Sequence, residues 1–398
     1  MDKSSPTILF GAFDRHNFGD LLFPHIVGAM LPDRTFIHAG VAERDMRPYG
    51  GHRVRALVSL AGEMKDELVN IIHVGGELLT CGAWQAAVML QEPAQAQTII
   101  AQLDDRPDER LHWTEAFLGM RDAVPYVVAQ GVFPTARRLF NAVGGGTLDA
   151  CPDVLRDEVV SKLHTAAMIT VRDRHTLEQL QVAGIPARLS PDPAVMVTEL
   201  FGAHVAASAQ QGEVGELRRR MPQGYLAVQF SADMGDDETL GEVAEQLQRM
   251  INETGHAVVL FCAGAAPWHD ELACYQRLAG RLPQDRVHVF NSLHLWDICA
   301  LLANSVAYCG TSLHGRIVAN AFGVPALNLY NPRAQSEKQL DYALSWPSPG
   351  LPPLVDVKEM AEKLVAALAV DRNALRTAAS ELAALYQQRF AMLVEALR

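Results

Sequence analysis

The sequence predicts an α/β protein with two domains, each built from parallel strand–helix units. The chain has 398 residues, which is more than one hydrophobic core ordinarily organises. Short apolar segments alternate with helical stretches along most of its length, the pattern typical of parallel sheets. Hydrophobic residues make up 49% of the chain and charged residues 20%, as in ordinary globular proteins.

The apolar segments between turn signals are predicted to be strands. In the first half they are residues 7–13, 71–74, 126–129 and 167–171; in the second half they are 225–230, 258–262, 287–290, 306–309 and 326–329. Asp20 is predicted to cap a helix that begins at Leu21, with Pro24 in its first turn, where a missing N–H costs little. Thr176 begins another predicted helix, which Gly184 closes.

A change in composition marks the predicted domain boundary. Residues 203–215 are rich in Ala, Gln, Ser and Gly and contain no convincing strand. We therefore predict an N-terminal Rossmann-like domain over residues 1–200, a linker over 201–224 and a C-terminal Rossmann-like domain over 225–370. Residues 371–398 form an amphipathic helix with apolar residues three or four apart: Leu375, Ala379, Leu382, Tyr386, Phe390, Leu393 and Leu397.

Charge and cysteine content exclude several classes of protein. A net charge of −12 and a pI near 5.6 argue against nucleic acid or an anionic membrane as a partner. The arginines at 137, 138 and 218–220 are expected to be solvated surface, so an anionic ligand must be held by a few placed arginines and backbone N–H groups. The six cysteines show no CxxC pair, which predicts reduced, mostly buried thiols and no metal site. No apolar run is long enough for a transmembrane segment, and no signal peptide is visible. We expect a cytoplasmic protein, either free or peripheral to the inner face of the membrane.

The segment from Gly310 to Arg316 carries the strongest chemical signal. A strand enters a turn of small residues, where Thr311 or Ser312 can cap the following helix. His314 and Arg316 then lie in the first helical turn, where free N–H groups and the positive end of the helix dipole favour phosphate or carboxylate. A histidine there can act as an acid or a base near neutral pH. The alternative is a histidine that only satisfies a helix end.

The loop after the first strand has a similar arrangement. It reads Phe13-Asp14-Arg15-His16-Asn17-Phe18-Gly19-Asp20 and is poor in glycine, so it matches neither the P-loop nor the dinucleotide fingerprint. We expect it to face an acceptor, with Asp20 either a helix cap or a functional carboxylate.

Two shorter signals follow other predicted strands, and a third lies where the chain leaves the first domain. Gly75-Gly76-Glu77 indicates close backbone approach. Arg172, at the end of its strand, is expected to point toward the crevice where α/β proteins bind ligands, unless it only pairs with Asp173 at the surface. Asp192-Pro193 is interpreted mainly as a turn.

Taken in order, these stretches resemble the polysaccharide pyruvyl transferase family. The matching pieces are Asn17-Phe18-Gly19-Asp20, Val74-Gly75-Gly76, Ala129-Gln130-Gly131, Val171-Arg172-Asp173, Pro191-Asp192-Pro193-Ala194 and Ser312-Leu313-His314-Gly315. They span roughly residues 7–330. Each piece is short, so the specificity lies in the ordered set. Several members of the family carry arginine two residues before the histidine, where this chain has Ser312.

The resemblance implies a glycosyltransferase-B-like pair of Rossmann-type domains with a cleft between them. It also implies phosphoenolpyruvate as co-substrate, with no other cofactor, and a sugar or glycan acceptor that is free, polymeric or lipid-linked. Three side chains are then the candidate catalytic groups: His314 as the general acid, and Asp20 or His16 as the base. Arg172, Arg316, Ser312, Thr311 and Gly315 are expected to bind the donor, arginine being well matched to carboxylate and phosphate. Asn17, Gly75, Gly76 and Glu77 are expected on the acceptor side.

Two alternatives stay open. A nucleotide-sugar glycosyltransferase or sugar epimerase would use the same helix terminus for a diphosphate, with Glu337 as a carboxylate for the ribose hydroxyls. A non-catalytic binding protein on the same fold is the second alternative, suggested by Ser312 in the position where several relatives have arginine and others have serine.

Overall fold

The computed structural model describes residues 5–64, 67–330 and 338–397. The chain divides into two compact units. The first comprises Met1–Pro193 together with Leu385–Arg398, and the second comprises Ala194–Ala384.

The first unit is built on one sheet of short, buried strands. Its strands are β1 Thr7–Phe10, β2 Phe36–Gly40, β3 Arg44–Asp45, β4 Arg53–Ala56, β5 Asn70–His73, β6 Gly76–Glu77, β7 Arg137–Gly144, β8 Met168–Val171 and β9 Arg188–Leu189. They lie in the order β3-β4-β2-β1-β5-β7-β8-β9, with β6 paired to β7. All pairs are parallel except β3 with β4. Continuous apolar runs such as that of β1 are expected where helices cover both faces of a parallel sheet.

In the part of the chain that the structure describes, seven helices accompany this sheet. They are α1 Phe18–Met30, α2 Leu57–Glu63, α3 Ala83–Met89, α4 Pro93–Leu103, α5 Pro107–Leu118, α6 Asp153–Leu163 and α7 Arg174–Val182. The core on one side of the sheet includes the fully buried residues Ile8, Phe10, Ile71, Phe140 and Val171.

The second unit repeats the design with a smaller parallel sheet. Its strands are β10 Tyr225–Gln229, β11 Ala257–Leu260, β12 Val287–Val289, β13 Ala307–Gly310 and β14 Ala326–Asn328. Its helices are α8 Val197–Ser208, α9 Gly212–Arg220, α10 Asp237–Thr254, α11 Leu272–Ala279, α12 Leu295–Ala303, α13 Leu313–Ala321, α14 Lys338–Ser345 and α15 Met360–Leu368. The final helix, α16, covers Arg372–Glu395.

Both sheets have the strand order of a Rossmann fold. In the second unit the order is β12-β11-β10-β13-β14, so the first strand lies in the middle and later strands are added to its other side. The first unit has the same reversal between β1 and β5. Open α/β sheets bind ligands beyond the carboxyl ends of the strands at this reversal. The fold therefore directs attention to the loops after β1 and β5, and to those after β10 and β13.

Helix α1 begins three residues earlier than predicted. Asn17 is its cap, and its Oδ1 accepts hydrogen bonds from Gly19 N at 3.0 Å and Asp20 N at 3.4 Å. The prediction that Asp20 is the cap was wrong, because the helix begins one turn sooner and Asn17 accepts from the orphan amides of that earlier turn. Pro24 consequently lies inside the helix and not in its first turn.

The predicted strand at residues 126–129 was also wrong. These residues are largely buried but are not part of a strand. Side chains satisfy their backbone groups instead: Val128 N donates to His73 Nε2 at 3.1 Å, and Arg138 Nη1 donates to Val128 O at 2.7 Å. The strand of this region is β7, which was not predicted because it begins with two arginines. Arg138 is only 1% exposed, so the expectation that it is surface was wrong, whereas Arg137 and residues 218–220 are exposed.

The segment predicted as a linker is mostly helical. Residues 201–224 include the end of α8 and all of α9, and the two units meet in sequence between Pro193 and Ala194. Alanine is a good helix former, which fits the end of α8, whereas Gln210 and Gln211 lie between the two helices.

The apolar stripe of the last helix is buried as predicted over its final turns. Tyr386, Phe390 and Leu393 are at most 3% exposed, and these residues belong to the first unit. Within the described ranges, no helix combines the length and apolar character needed to span a membrane. Five of the six cysteines are buried, Cys151 is half-buried, and all six are free thiols.

Candidate functional site

The first unit collects charged groups beyond the carboxyl ends of its strands. Arg172, one residue after β8, is 2% exposed and reaches Glu77 Oε2 with Nη2 at 2.5 Å. Its Nη1 lies 3.6 Å from Asp192 Oδ2, on a carboxylate that is completely buried. Burial alone would lower the pKa of Arg172, but Glu77 and Asp192 raise it, so the guanidinium stays charged.

This pairing revises two interpretations from the sequence. Arg172 does not form the simple surface pair with Asp173, because Asp173 caps α7 and accepts from Thr176 N at 2.7 Å. Asp192 is more than a turn residue, since it is a buried partner of Arg172.

Glu77 is held in place by three donors. Besides Arg172, it accepts hydrogen bonds through Oε1 from Thr80 Oγ1 at 3.0 Å and from Gly146 N at 3.1 Å. A carboxylate held this way is fixed in orientation, so the Glu77–Arg172 pair is a rigid part of the sheet edge.

The paired glycines before Glu77 are required by the backbone and by their neighbours. Gly75 and Gly76 have φ of 132° and 93°, a region that L residues rarely adopt. A Cβ on Gly76 would also lie 3.1 Å from Asp20 Oδ1. The predicted close approach is therefore observed, and it brings Asp20 of α1 beside the Gly75-Gly76 segment that leads into Glu77.

The loop after β1 is anchored by Asp14 and Arg15, two residues to which the sequence assigned no separate role. Asp14 accepts from Val41 N at 2.7 Å, Ala42 N at 3.1 Å and Tyr126 OH at 2.7 Å. Arg15 Nη1 donates to the same Tyr126 hydroxyl at 2.8 Å. Burial raises the pKa of Asp14, while Arg15 opposes that rise.

Of the two predicted base candidates, His16 lies on this anchored loop and Asp20 lies in the first turn of α1, which follows it. His16 and Asp20 are 7% and 8% exposed, and the His16 ring meets the ring of Tyr49 edge-on at 4.9 Å between centroids. Asn17 is the cap of α1, so its side-chain oxygen is committed to the helix terminus. The structure thus brings Asp20, Gly76, Glu77 and Arg172 together, with His16 on the neighbouring part of the loop.

The second unit presents the turn that carries the strongest sequence signal. Ser312 caps α13, as predicted, with its hydroxyl accepting from Gly315 N at 3.2 Å. His314 lies in the first turn of that helix and is 7% exposed. Thr311 Oγ1 accepts from Ser231 N at 3.0 Å, which ties this turn to the loop after β10.

Gly315 has a packing role that the sequence did not reveal. A Cβ at this position would lie 2.4 Å from Tyr308 Cζ, so only glycine lets the helix terminus rest on the tyrosine ring. The Tyr308 hydroxyl donates to Ser312 O at 3.1 Å. Gly315 therefore supports the turn, and its direct contact with a donor stays a prediction.

Arg316 points into the core of the second unit. It is 1% exposed and donates to Asn328 Oδ1 at 3.3 Å, Pro353 O at 3.0 Å and Ser348 Oγ at 3.3 Å. Burial lowers its pKa to about 10. All three acceptors are neutral, and donor binding by Arg316 stays a prediction.

Sequence reasoning missed Gln229 and Asp270, which lie behind the turn. Gln229 ends β10 and Asp270 follows β11, and Gln229 Nε2 donates to Asp270 Oδ1 at 2.7 Å. Burial raises the pKa of Asp270 to about 7, against the lowering effect of the hydrogen bonds it accepts. A glutamine at a strand end and an aspartate in a loop have no characteristic spacing, so only the fold brings them together.

Two further findings concern ligands. No group of three His, Cys, Asp or Glu side chains suited to a metal ion is found within residues 5–64, 67–330 and 338–397. Glu337, the carboxylate of the nucleotide-sugar alternative, lies outside the described residues.

Comparison with solved structures places the chain among α/β proteins of the glycosyltransferase-B-like class. The UDP-GlcNAc 2-epimerase from Methanocaldococcus jannaschii is 12% identical, with a TM-score of 0.58, and the alignment covers 98% of this chain and 99% of that one. The Neisseria meningitidis enzyme of the same name, solved bound to UDP-GlcNAc, is 11% identical, with a TM-score of 0.56 and 99% coverage of both chains. At such identity the likeness establishes the fold alone.

The family assignment comes from the sequence match. Residues 17–332 match the family described as Polysaccharide pyruvyl transferase, and the chain belongs to that family. The match includes the Asn17–Asp20 loop segment, Glu77, Arg172 and the turn around His314. No curated protein sequence is detectably similar to the chain.

Proposed function

We propose that this protein transfers the pyruvyl group of phosphoenolpyruvate to hydroxyls of a sugar or glycan, forming a pyruvate ketal and releasing phosphate. The observation that carries the proposal is the Ser312-capped turn with His314 in the first turn of α13, within a chain of this family. A helix N-terminus offers N–H groups and a favourable dipole to an anion, and the imidazole adds a proton donor.

The chemistry balances without a redox step. Protonation of the enol methylene carbon makes it a methyl group and leaves an oxocarbenium-like centre at C2. One sugar hydroxyl adds to C2, phosphate leaves, and a second hydroxyl adds to close the ketal. Each hydroxyl loses one proton: one of the two replaces the proton given to the methylene carbon, and the other leaves with the phosphate as hydrogen phosphate. The reaction therefore needs both an acid and a base.

His314 is proposed as the acid that protonates the methylene. Thr311 and Ser312 are proposed to face the donor phosphate from the same turn, since both lie beyond the carboxyl end of β13 at the strand reversal. This placement supports a donor site in the second unit.

Asp20 is proposed as the base for the sugar hydroxyl, with His16 as the other candidate. Asp20 lies at the strand reversal of the first unit, next to the Gly75-Gly76 segment. Glu77 is a weaker candidate for proton transfer, because Arg172, Thr80 and Gly146 already occupy its oxygens. Arg172 is proposed to bind the donor's negative charge in addition to holding Glu77.

The test is acceptor-dependent phosphate release. The protein is incubated with phosphoenolpyruvate and a panel of free, polymeric and lipid-linked glycans, and phosphate and the ketal methyl signal are measured. We expect release only with a suitable acceptor, loss of release in His314→Ala, and normal release in His164→Ala, which alters an exposed histidine.

Parallel thermal-shift measurements separate the alternatives. Stabilisation by UDP-, GDP- or CMP-sugars, without stabilisation by phosphoenolpyruvate, would replace the proposal with a nucleotide-sugar enzyme. Stabilisation by phosphoenolpyruvate with no phosphate release on any acceptor would indicate a binding protein.

A further inference from the structure

Behind the His314 turn, a chain of hydrogen bonds runs from one carboxylate to the backbone of the turn. Asp270 Oδ2 accepts from Ala263 N at 2.6 Å and Gly264 N at 3.3 Å, which fixes the carboxylate to the loop after β11. Its other oxygen, Oδ1, accepts from Gln229 Nε2 at 2.7 Å. Gln229 Oε1 in turn accepts from Ser312 N at 2.8 Å.

The Tyr308 hydroxyl joins the same chain. It lies 3.3 Å from Gln229 Oε1 and 3.2 Å from Ser312 N, while it donates to Ser312 O at 3.1 Å. The side chains of Gln229 and Tyr308 are buried, so water does not readily replace a lost partner.

The charge of Asp270 decides which end of the Gln229 amide donates and which end accepts. An ionised carboxylate only accepts hydrogen bonds, so the Gln229 amide must turn its NH₂ group toward Asp270. Its oxygen then has to face Ser312 N. If the carboxylate became a donor, the amide would gain by reversing, and its NH₂ group would face the N–H of Ser312.

We propose that Asp270 is a positioning residue for the His314 turn: its ionised carboxylate orients the Gln229 amide, and Gln229 thereby holds Ser312 and the start of α13 in place. We call the hydrogen bonds from Asp270 through Gln229 to Ser312 the relay. The functional role of the turn rests on the proposed function, whereas the relay itself does not depend on which substrate the protein binds. Asp270 acts through Gln229 and is not assigned contact with substrate.

The surroundings of Asp270 bring its pKa close to neutral pH. Among the described residues, four titratable groups that interact with it are Cys262, Cys274, Tyr275 and Tyr308. Burial raises the pKa of each of these groups, so all four are neutral at pH 7. With no cation among these partners, burial raises the pKa of Asp270 to about 7. Above that pH the Gln229 amide therefore keeps its oxygen toward Ser312 N, and below that pH the amide is expected to reverse.

A reciprocal exchange of side chains tests the relay. In Asp270→Asn, the new amide oxygen can still accept from Ala263 and Gly264, but its NH₂ group faces Gln229 and reverses it. In the double variant Asp270→Asn with Gln229→Glu, the asparagine NH₂ donates to a glutamate, which again offers an oxygen to Ser312 N. The double variant restores every hydrogen bond with the charge moved by one residue.

The direct readout is hydrogen exchange at the Ser312 amide, followed in the full-length protein with residue-level fragmentation. We expect Asp270→Asn to lower the protection factor of Ser312 about 10-fold or more, and the double variant to return most of it. Asp236→Asn is the matched control, because it removes a charge at the cap of α10 in the same unit and keeps a capping side chain. Unchanged protection in Asp270→Asn, or no recovery in the double variant, would overturn the relay.

The unmodified protein provides a second measurement that does not depend on how a variant folds. The protection factor of Ser312 should be high at pH 8 and fall with a midpoint near the pKa of Asp270, about 7. A protection factor that stays constant between pH 8 and pH 5.5 would contradict the proposal.

Enzyme kinetics distinguish failure of the relay from failure of the proposed function. If phosphoenolpyruvate is the donor, Asp270→Asn should raise its KM about 10-fold, and the double variant should reverse that increase. If the unmodified protein releases no phosphate from phosphoenolpyruvate while the exchange results hold, the proposed donor is wrong and the relay stands.

Discussion

Gly315 lies directly against the ring of Tyr308, so close that a Cβ on the glycine would be 2.4 Å from Tyr308 Cζ. Tyr308 is fully buried, and its hydroxyl also holds Ser312. The helix that carries His314 is thus seated on an aromatic ring.

Gly315→Ala is expected to destabilise the protein by about 2 kcal/mol, because the added methyl group overpacks the buried ring. Denaturant unfolding would measure the loss. Gly241→Ala is the control: this glycine is also helical, and its nearest neighbour is the end of the Arg281 side chain at 3.5 Å. That change should leave stability unchanged or raise it by up to about 1 kcal/mol. Equal effects of the two substitutions would refute the packing argument.

His314→Ala is expected to reduce turnover by about 10²–10⁴-fold, the usual contribution of a placed acid or base. Steady-state kinetics with saturating phosphoenolpyruvate would show the loss in kcat, and circular dichroism would establish that the variant is folded. His164→Ala removes an exposed histidine and should have no effect. Full turnover in a folded His314→Ala variant would remove His314 from the mechanism.

Arg172→Met is expected to cost about 3–5 kcal/mol of folding free energy, because it leaves Glu77 and the buried Asp192 without their common cation. Arg47→Met breaks an ion pair of similar length, 2.7 Å to Asp45, at an exposed site. Since solvent screens exposed pairs, that control should cause no measurable change. If Arg172→Met were as stable as the control, the pair with Glu77 would not be a structural element.

A stack of histidines predicts acid sensitivity in the first unit. The rings of His38 and His52 are stacked at 3.8 Å between centroids, and His25 lies 4.2 Å from His52. Burial and the neighbouring His25 lower the pKa of His38 to about 4 and that of His52 to about 3, with His38 adding to the effect on His52.

In the unfolded chain His38 and His52 take up protons near pH 6.5, whereas in the folded protein they do so only near pH 3–4. Stability is therefore complete above pH 7 and is lost as the pH falls from about 6.5 toward 4. At pH 5 the loss should be on the order of 2 kcal/mol for the pair, after allowance for partial exposure. Denaturant unfolding at pH 7 and pH 5 would show it. The double variant His38→Gln with His52→Gln should have a shallower pH dependence, and an unaltered slope would contradict this account.

The sequence predicted the positions of most central strands, because each is a short apolar run between turn residues. It also found the His314 turn, since a capping serine, flanking glycines and a following helix are adjacent in the chain. Residues 126–129 show where this reasoning fails: they are apolar and largely buried, but His73 and Arg138 satisfy the backbone groups of Val128 in place of a strand partner.

The pairings within the site were not predictable for a different reason. Glu77 and Arg172 are 95 positions apart, and Gln229 and Asp270 are 41 apart. Nothing in the local pattern of either partner identifies the other. Those contacts exist only because parallel strands bring their carboxyl ends to the same edge of a sheet.

The last helix also affects how the protein can be assembled during synthesis. Asn141 Nδ2 donates to Tyr386 OH at 2.9 Å inside the first unit, beside the buried Phe390 and Leu393. A ribosome that has delivered residues 1–193 has not yet made these partners, whereas the second unit is one uninterrupted stretch. Nascent chains usually mature from the amino terminus onward. Here the first unit gains its last partners only when residues 385–397 have been made, so the unit translated second is the first whose residues are all available.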